Sequence, residues 1–147
     1  MAGRKRRTSK GVFVTDTKTS ARMARVRQTG TAPELIVRQV CRELGIRYSV
    51  ANRSLFGSPD LANREQKWAI FIHGCFWHRH NNCAKATTPK RNARAWLAKF
   101  ERNTVRDCIV RKELQTRGFR VITIWECEAA SALKIAKKLA ILRAIAR

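Results

Sequence analysis

Leu35, Ile36, Val37, Val40, Cys41 and Leu44 form an apolar stripe at helical spacing, the mark of a helix with one face on a core. Thr31-Ala32-Pro33-Glu34 opens that helix as a capping box, with Thr as N-cap, Pro in the first turn and Glu at the third position, and Gly45 can close it. Ile46 to Val50 predicts a short strand, and Pro59 fixes the chain as Asp60 enters another. A polar turn at Asn63 to Lys67 leads into the apolar run Trp68-Ala69-Ile70-Phe71-Ile72. A hairpin is therefore expected to carry Asp60 alongside the end of that run. Asn92 stands where it can cap a long helix from Ala93 to about Arg117, closed by Gly118. Trp96, Phe100, Asp107 and Leu114 fall near one face of it, because their separations approach whole turns of ~3.6 residues. Phe119 to Trp125 reads as a buried strand, reached by a tight turn and so part of a strand-helix-strand crossover. A last helix, roughly Ala129 to Ala146, carries Lys134, Lys137, Lys138 and Arg143 on its polar side and no candidate site. The pattern is α/β, a sheet flanked by helices.

Charge changes the picture more than composition does. A chain of 147 residues with 44% hydrophobic residues is long enough and apolar enough for one real core. Its net charge of +22, from 32 Lys+Arg against 10 Asp+Glu, exceeds any need of solubility and points to a polyanionic partner, nucleic acid first. A membrane surface is the rival, but the basic residues are spread along the whole chain and no run of ~18 apolar residues occurs. We expect no membrane partner. Residues 1–20 are polar and basic, an expected flexible arm ahead of a domain over 21–147. Ser20 to Arg27 is a short helix candidate whose Arg22 and Arg25 can line a phosphate track, with Met23 as a large apolar group that either packs on the body or meets the partner. The basic start lacks an apolar h-region, so the protein is expected to stay inside the cell, where five cysteines would be thiols or metal ligands rather than a disulfide frame.

The candidate chemistry follows the apolar run directly, in His73-Gly74-Cys75-Phe76-Trp77-His78-Arg79-His80-Asn81-Asn82-Cys83. Cys75, His80 and Cys83, with Cys127 just past the last strand, make a closed set of three thiolates and one imidazole, a structural zinc site. His78 could replace His80, but His80 is favoured because His78 is otherwise free for chemistry. Cys41 and Cys108 fall on helices and read as plain core thiols. Phe76 and Trp77, adjacent after a glycine turn and exposed in aspect, suit either a core plug or a wedge for something flat. Asp60, His73, His78 and Asp107 have no evident structural need, and Glu34 none beyond capping. Carboxylates holding Mg²⁺ near imidazoles, on a very basic protein, fit metal-assisted phosphodiester hydrolysis. Asp60 and the carbonyl of Ile72 are the plausible Mg²⁺ ligands, and His78, held in one tautomer by Asp107, the base.

The centre His73-Gly74-Cys75-Phe76-Trp77-His78, with Gly57-x-Pro59-Asp60 before it and Trp125-Glu126-Cys127 after it, resembles the very-short-patch-repair (Vsr) DNA mismatch endonucleases over about Ser20 to Glu128. Ser58, the polar Ala62-Asn63-Arg64 and the extra residue at Asn81-Asn82 depart from that pattern. The resemblance implies a restriction-endonuclease-like (PD-(D/E)XK-type) core with a mixed sheet, and a Mg²⁺-dependent enzyme with a structural zinc. The implied reaction is a nick in the T strand of T·G mismatches left by deamination of 5-methylcytosine. It implies Asp60 as metal ligand, His73, His78 and Asp107 as catalytic residues, and Glu34 as a further acid. It implies Met23, Phe76 and Trp77 as wedges in the base stack, and Cys75, His80, Cys83 and Cys127 as zinc ligands. It also implies double-stranded DNA as partner, a monomer, a link to a cytosine-5 DNA methyltransferase, and a cytoplasmic, nucleoid-associated place in a prokaryote. Two other readings stay open: an endonuclease of the same fold that cuts matched duplex, site-specifically or as a homing enzyme, and a zinc-stapled DNA-binding protein without catalysis.

Overall fold

The computed structural model describes residues 16–145. Its elements in order are α1 (Thr17–Ala24), α2 (Ala32–Glu43), β1 (Leu61–Asn63), β2 (Trp68–His73), α3 (Ala93–Thr116), β3 (Arg120–Trp125) and α4 (Ala132–Ile145). The sheet is mixed, in the order β1-β2-β3, with β1 antiparallel and β3 parallel to the central β2. The expected hairpin is present, pairing Leu61 with Ile70 and Asn63 with Trp68, and the crossover through α3 sets His73 opposite Trp125 and Phe71 opposite Thr123.

Strand alternation divides the interior in two. Trp68, Ile70 and Ile124 bury with Val37, Cys41, Ile135 and Leu139, so α2 and α4 cover one face of the sheet. Ala62 and Ala69 bury with Val110 and Leu114, so α3 covers the other, with Phe71 and Val121 packed at its margin. Three layers result, helices, sheet, helix, with the centre of the sheet closed on both sides.

Several boundaries differ from expectation. Ile46 to Val50 is not a strand; its one ladder contact is an isolated bridge between Ser49 and Ala62. The buried amide of Asn52 explains this, because it donates to the carbonyls of Ser49 (2.9 Å) and Pro59 (3.2 Å) and curls the segment instead of extending it. Helix α1 starts at Thr17, so residues 17–20 of the expected arm are helical, Asp16 capping through the Thr19 N–H at 2.7 Å; residues 1–15 of that arm lie outside the described residues. Thr31 is the N-cap of α2 but makes no side-chain cap bond. Instead Glu34 reaches back, accepting from the Gly30 N–H (2.9 Å) and the Thr31 hydroxyl (3.1 Å). Asn92 precedes α3 in the left-handed region (φ 58) and likewise makes no side-chain cap hydrogen bond, while its carbonyl accepts the Trp96 N–H at 3.0 Å. The strand expected from Phe119 begins at Arg120, and only Ile124 on it is fully buried, because it lies at the edge of the described sheet. The last helix begins at Ala132, after a turn, and not at Ala129.

Candidate active site and metal centre

The hairpin, the crossover and the loop after β2 converge on a cavity of about 810 Å³ at the C-terminal ends of β2 and β3, on the α3 side. Asp60, Ile72, His73, His78 and Asp107 all line it. Asp60 enters at the start of β1, and its Oδ2 accepts the Ile72 N–H at 2.7 Å, which fixes the carboxylate across the hairpin. Burial pushes that carboxyl up to about 6, and the negative charge of Glu34 adds to the rise against the pull of the Ile72 N–H.

His78 Nδ1 lies 2.5 Å from Asp107 Oδ2, joining the loop to α3. The ring of His73 stacks on that of His78, centroids 3.9 Å apart and 5° from parallel. Burial, with the charge on His78 second, holds His73 down near 4, so it is neutral at physiological pH. With Asp107 accepting at Nδ1, the Nε2 of His78 is left to take a proton. Ligand atoms of His73, His78 and Asp107 also lie within 4.8 Å of one another. Glu34 is 5% exposed and tied to Arg38 at 3.3 Å as well as to Gly30 and Thr31, yet its charge reaches Asp60.

A second cluster adjoins the first through His80, which also lines the cavity. Sγ of Cys75, Cys83 and Cys127 and a ring nitrogen of His80 all lie within 4.8 Å of one another. His80 Nδ1 is 3.6 Å from Cys75 Sγ and 3.3 Å from Cys127 Sγ. Bonds of ~2.3 Å to sulfur and ~2.0 Å to nitrogen in a tetrahedron put such atoms roughly 3.5 Å apart, which the two His80 distances match, so the donor set suits a tetrahedral metal such as zinc. Burial pushes the Cys75 thiol up to about 12, while the Lys85 backbone N–H lowers that of Cys83; a bound cation would deprotonate both. Among the two imidazoles the sequence left open, His80 is the one in the cluster and His78 is the one on Asp107. Trp125 joins the two centres: its ring stacks on His80 (4.3 Å) and meets His73 edge-on (5.4 Å).

The remaining expected residues are distributed differently. Phe76 and Trp77 are half-buried rather than exposed, packed edge-on to each other at 5.1 Å; Phe76 also meets Trp96 (5.3 Å) and Phe100 (5.1 Å) of α3. The Lys99 ammonium sits 4.9 Å from the Trp77 ring centre. Met23 is half-buried on α1 and belongs to neither core, with Arg22 and Arg25 exposed beside it. Cys41 is a core thiol as expected, but Cys108 is exposed on the cavity wall, because it follows Asp107 on the α3 turn that faces the site. Arg106, Arg111, Thr123 and Trp125 also line the cavity and carried no signal in the sequence as site residues; their positions on α3 and at alternate positions of β3 become meaningful only through the crossover.

Residues 12–85, which hold Asp60, His73, His78 and three of the four cluster residues, match the family of the DNA mismatch endonuclease Vsr. The chain belongs to that family. It is 40% identical to the type II nicking enzyme V.NmeAIP of Neisseria meningitidis, over 78% of this chain and 81% of that one. It is 36% identical to the type II nicking enzyme V.XorIIP of Xanthomonas oryzae, over 72% and 77%, and 35% identical to the DNA mismatch endonuclease Vsr of Escherichia coli, over 74% and 69%. As a Vsr-family protein it is a DNA endonuclease, a hydrolase of phosphodiester bonds. No helix among the described residues is long and apolar enough to cross a membrane.

Proposed function

We propose that this Vsr-family chain nicks the T-containing strand at T·G mismatches produced by deamination of 5-methylcytosine, on a restriction-endonuclease-like core. The observation that carries the reading is the convergence of Asp60, His73, His78 and Asp107 on one cavity of a strongly basic protein. Asp60 and the carbonyl of Ile72 would hold Mg²⁺, with Glu34 as the nearby second acid; the fit rests on hard oxygen donors, a carboxylate fixed at 2.7 Å on the Ile72 N–H where both residues line the cavity. Such an ion, when bound, supplies charge neutralisation on the phosphate and a more acidic water. His78 takes the proton of the attacking water at Nε2, because Asp107 fixes the other nitrogen as donor. Neutral His73 fixes the plane of His78 by stacking and offers a hydrogen bond to the phosphate without repelling the metal.

Cys75, His80, Cys83 and Cys127 would hold Zn²⁺ as a staple between the loop after β2 and the turn after β3. Met23, Phe76 and Trp77 would enter the base stack beside the mismatch, and Arg22 and Arg25 would follow the backbone. The protein acts as a monomer in the prokaryotic cytoplasm, on the nucleoid, in functional partnership with a cytosine-5 DNA methyltransferase. The packing of Phe76 on Trp96 and Phe100 favours a second reading, in which the aromatics are core plugs and the enzyme cuts matched duplex.

A duplex carrying one T·G pair, with each strand labelled separately, tests the proposal. Mg²⁺-dependent cleavage confined to the T strand is expected, with none by Asp60→Ala. Cleavage of both strands, or of the G strand, would refute it.

A further inference from the structure

One charged group on the cavity wall has no part in the scheme above. Arg111 lies one turn beyond Asp107 on α3, and side chains four apart share a helix face. Its Nη2 donates to the Thr123 hydroxyl at 2.7 Å, so the guanidinium is tied to β3, next to the strand that carries His73. Both residues line the cavity with Asp60, His73 and His78. Arg106, the neighbouring arginine of that wall, is within 4.0 Å of Asp107, whereas Arg111 makes no ion pair among the described residues.

A guanidinium carries five donors in a rigid fork, and Thr123 engages one nitrogen of it. An exposed arginine gains little from a single neutral hydroxyl, yet the tether removes its freedom and points a planar cation at a polar cavity. That arrangement suits a phosphate diester, whose two non-bridging oxygens match the fork. We propose that Arg111, oriented by Thr123, grips a backbone phosphate of the DNA strand that lies in this cavity. Arg111 is then a substrate-binding residue and Thr123 a positioning residue. The inference rests on the cavity being the nuclease site, but not on mismatch preference.

Binding to T·G duplexes in Ca²⁺ buffer tests it, using wild type, Arg111→Gln, Arg111→Lys and Thr123→Val. One phosphate at a time around the mismatch is replaced by an uncharged methylphosphonate, and each affinity is followed over a salt series. In wild type one position should weaken binding about tenfold. Arg111→Gln should bind the natural duplex about tenfold more weakly, lose its sensitivity at that position, and lower the slope of log affinity on log salt by about 0.9. Arg111→Lys and Thr123→Val should keep the slope, since both keep a cation, while binding more weakly than wild type. Circular-dichroism melting of each variant separates misfolding from lost contact, and the unchanged slope of Thr123→Val guards against a general loss of DNA affinity. Arg111→Gln that keeps the wild-type affinity and slope, or that stays sensitive at the position where the wild type is sensitive, overturns the proposal. Wild-type failure to nick T·G duplex, or to show any position-dependent sensitivity, would sink the mismatch reading alone, because the loss of affinity and slope in Arg111→Gln requires neither cleavage nor a fixed register on the duplex.

Discussion

Asp60 and His73 trade a proton on folding. In the unfolded chain at pH 5 the carboxyl, at 3.8, is ionised and the imidazole, at 6.5, is charged; in the fold the carboxyl at about 6 is protonated and the imidazole near 4 is neutral. Asp60, raised, contributes stability that is present below pH 4 and lost as pH rises through 6; His73, lowered, contributes stability that is present above 6.5 and lost as pH falls through 4. The two nearly cancel in the wild type. Asp60→Asn keeps an acceptor for the Ile72 N–H and removes only the first contribution. Without divalent metal it should therefore match wild type near pH 4 and exceed it by about 1–3 kcal/mol at pH 7. Urea denaturation at the two pH values checks this, and equal stability at both would mean that Asp60 is well solvated. The same shift governs metal uptake: since only ionised Asp60 binds a cation, the Mg²⁺ needed for half-maximal nicking should rise about tenfold per pH unit below 6. At His78, Asp107→Asn should cost roughly 10²–10⁴-fold in nicking rate while DNA affinity holds, because an amide cannot fix the tautomer as a carboxylate does. Loss of affinity in parallel with rate would argue for a fold defect.

At the scale of elements, two joints hold the site together. The first is the Cys/His cluster, in which side chains of the loop after β2 meet that of Cys127 in the turn after β3. Cys127→Ser should release about one zinc per chain and lower unfolding free energy by several kcal/mol, because metal binding and folding are coupled in such sites. Metal analysis finding no zinc in freshly purified wild type would end that account. The second is the loop before β1, where Gly57 (φ +76) passes so close to α3 that an added Cβ would sit 2.3 Å from Val110 Cγ1. Gly57→Ala should cost roughly 2–4 kcal/mol from strain and overpacking, and Val110→Ala in the same chain should recover part of it, as read by thermal melting. These elements differ in how far the sequence revealed them. The Asp60 hairpin, α2 and α3 were legible because turn residues and periodicity agree there, and Asp107 stood out as an acid on the core stripe of α3. Ile46 to Val50 misled because its apolar alternation competes with the Asn52 amide, a tertiary contact that periodicity does not register. Arg111 and Thr123 were silent because their pairing spans α3 and β3, and each alone looks like ordinary surface.

Over the whole molecule, charge and shape divide the work. A net charge of +22 supplies affinity for any duplex, strongly salt-dependent and blind to sequence. Selection of a mismatch would have to come from something geometric, and the aromatic cluster of Phe76, Trp77 and Trp96 is the candidate. Trp77 rests against Phe76 and Trp96, 5.1 and 5.8 Å between centroids, so insertion into DNA would exchange one aromatic stack for another. A T·G wobble opens more easily than a matched pair, so that exchange would favour the mismatch. Trp77→Ala should lose on the order of 1–3 kcal/mol of preference for T·G over matched duplex while salt-dependent binding to both persists. Equal weakening on both duplexes would make Trp77 a core residue instead. The most direct measurement is the single-turnover rate of nicking by wild type on three duplexes identical but for one pair, T·G, T·A and C·G, at one salt and one Mg²⁺ concentration. Opening a matched step costs a few kcal/mol more, so the T strand of T·G should be cut at least about a hundredfold faster than either matched duplex. Comparable rates on all three would contradict mismatch recognition and leave an endonuclease that reads matched DNA.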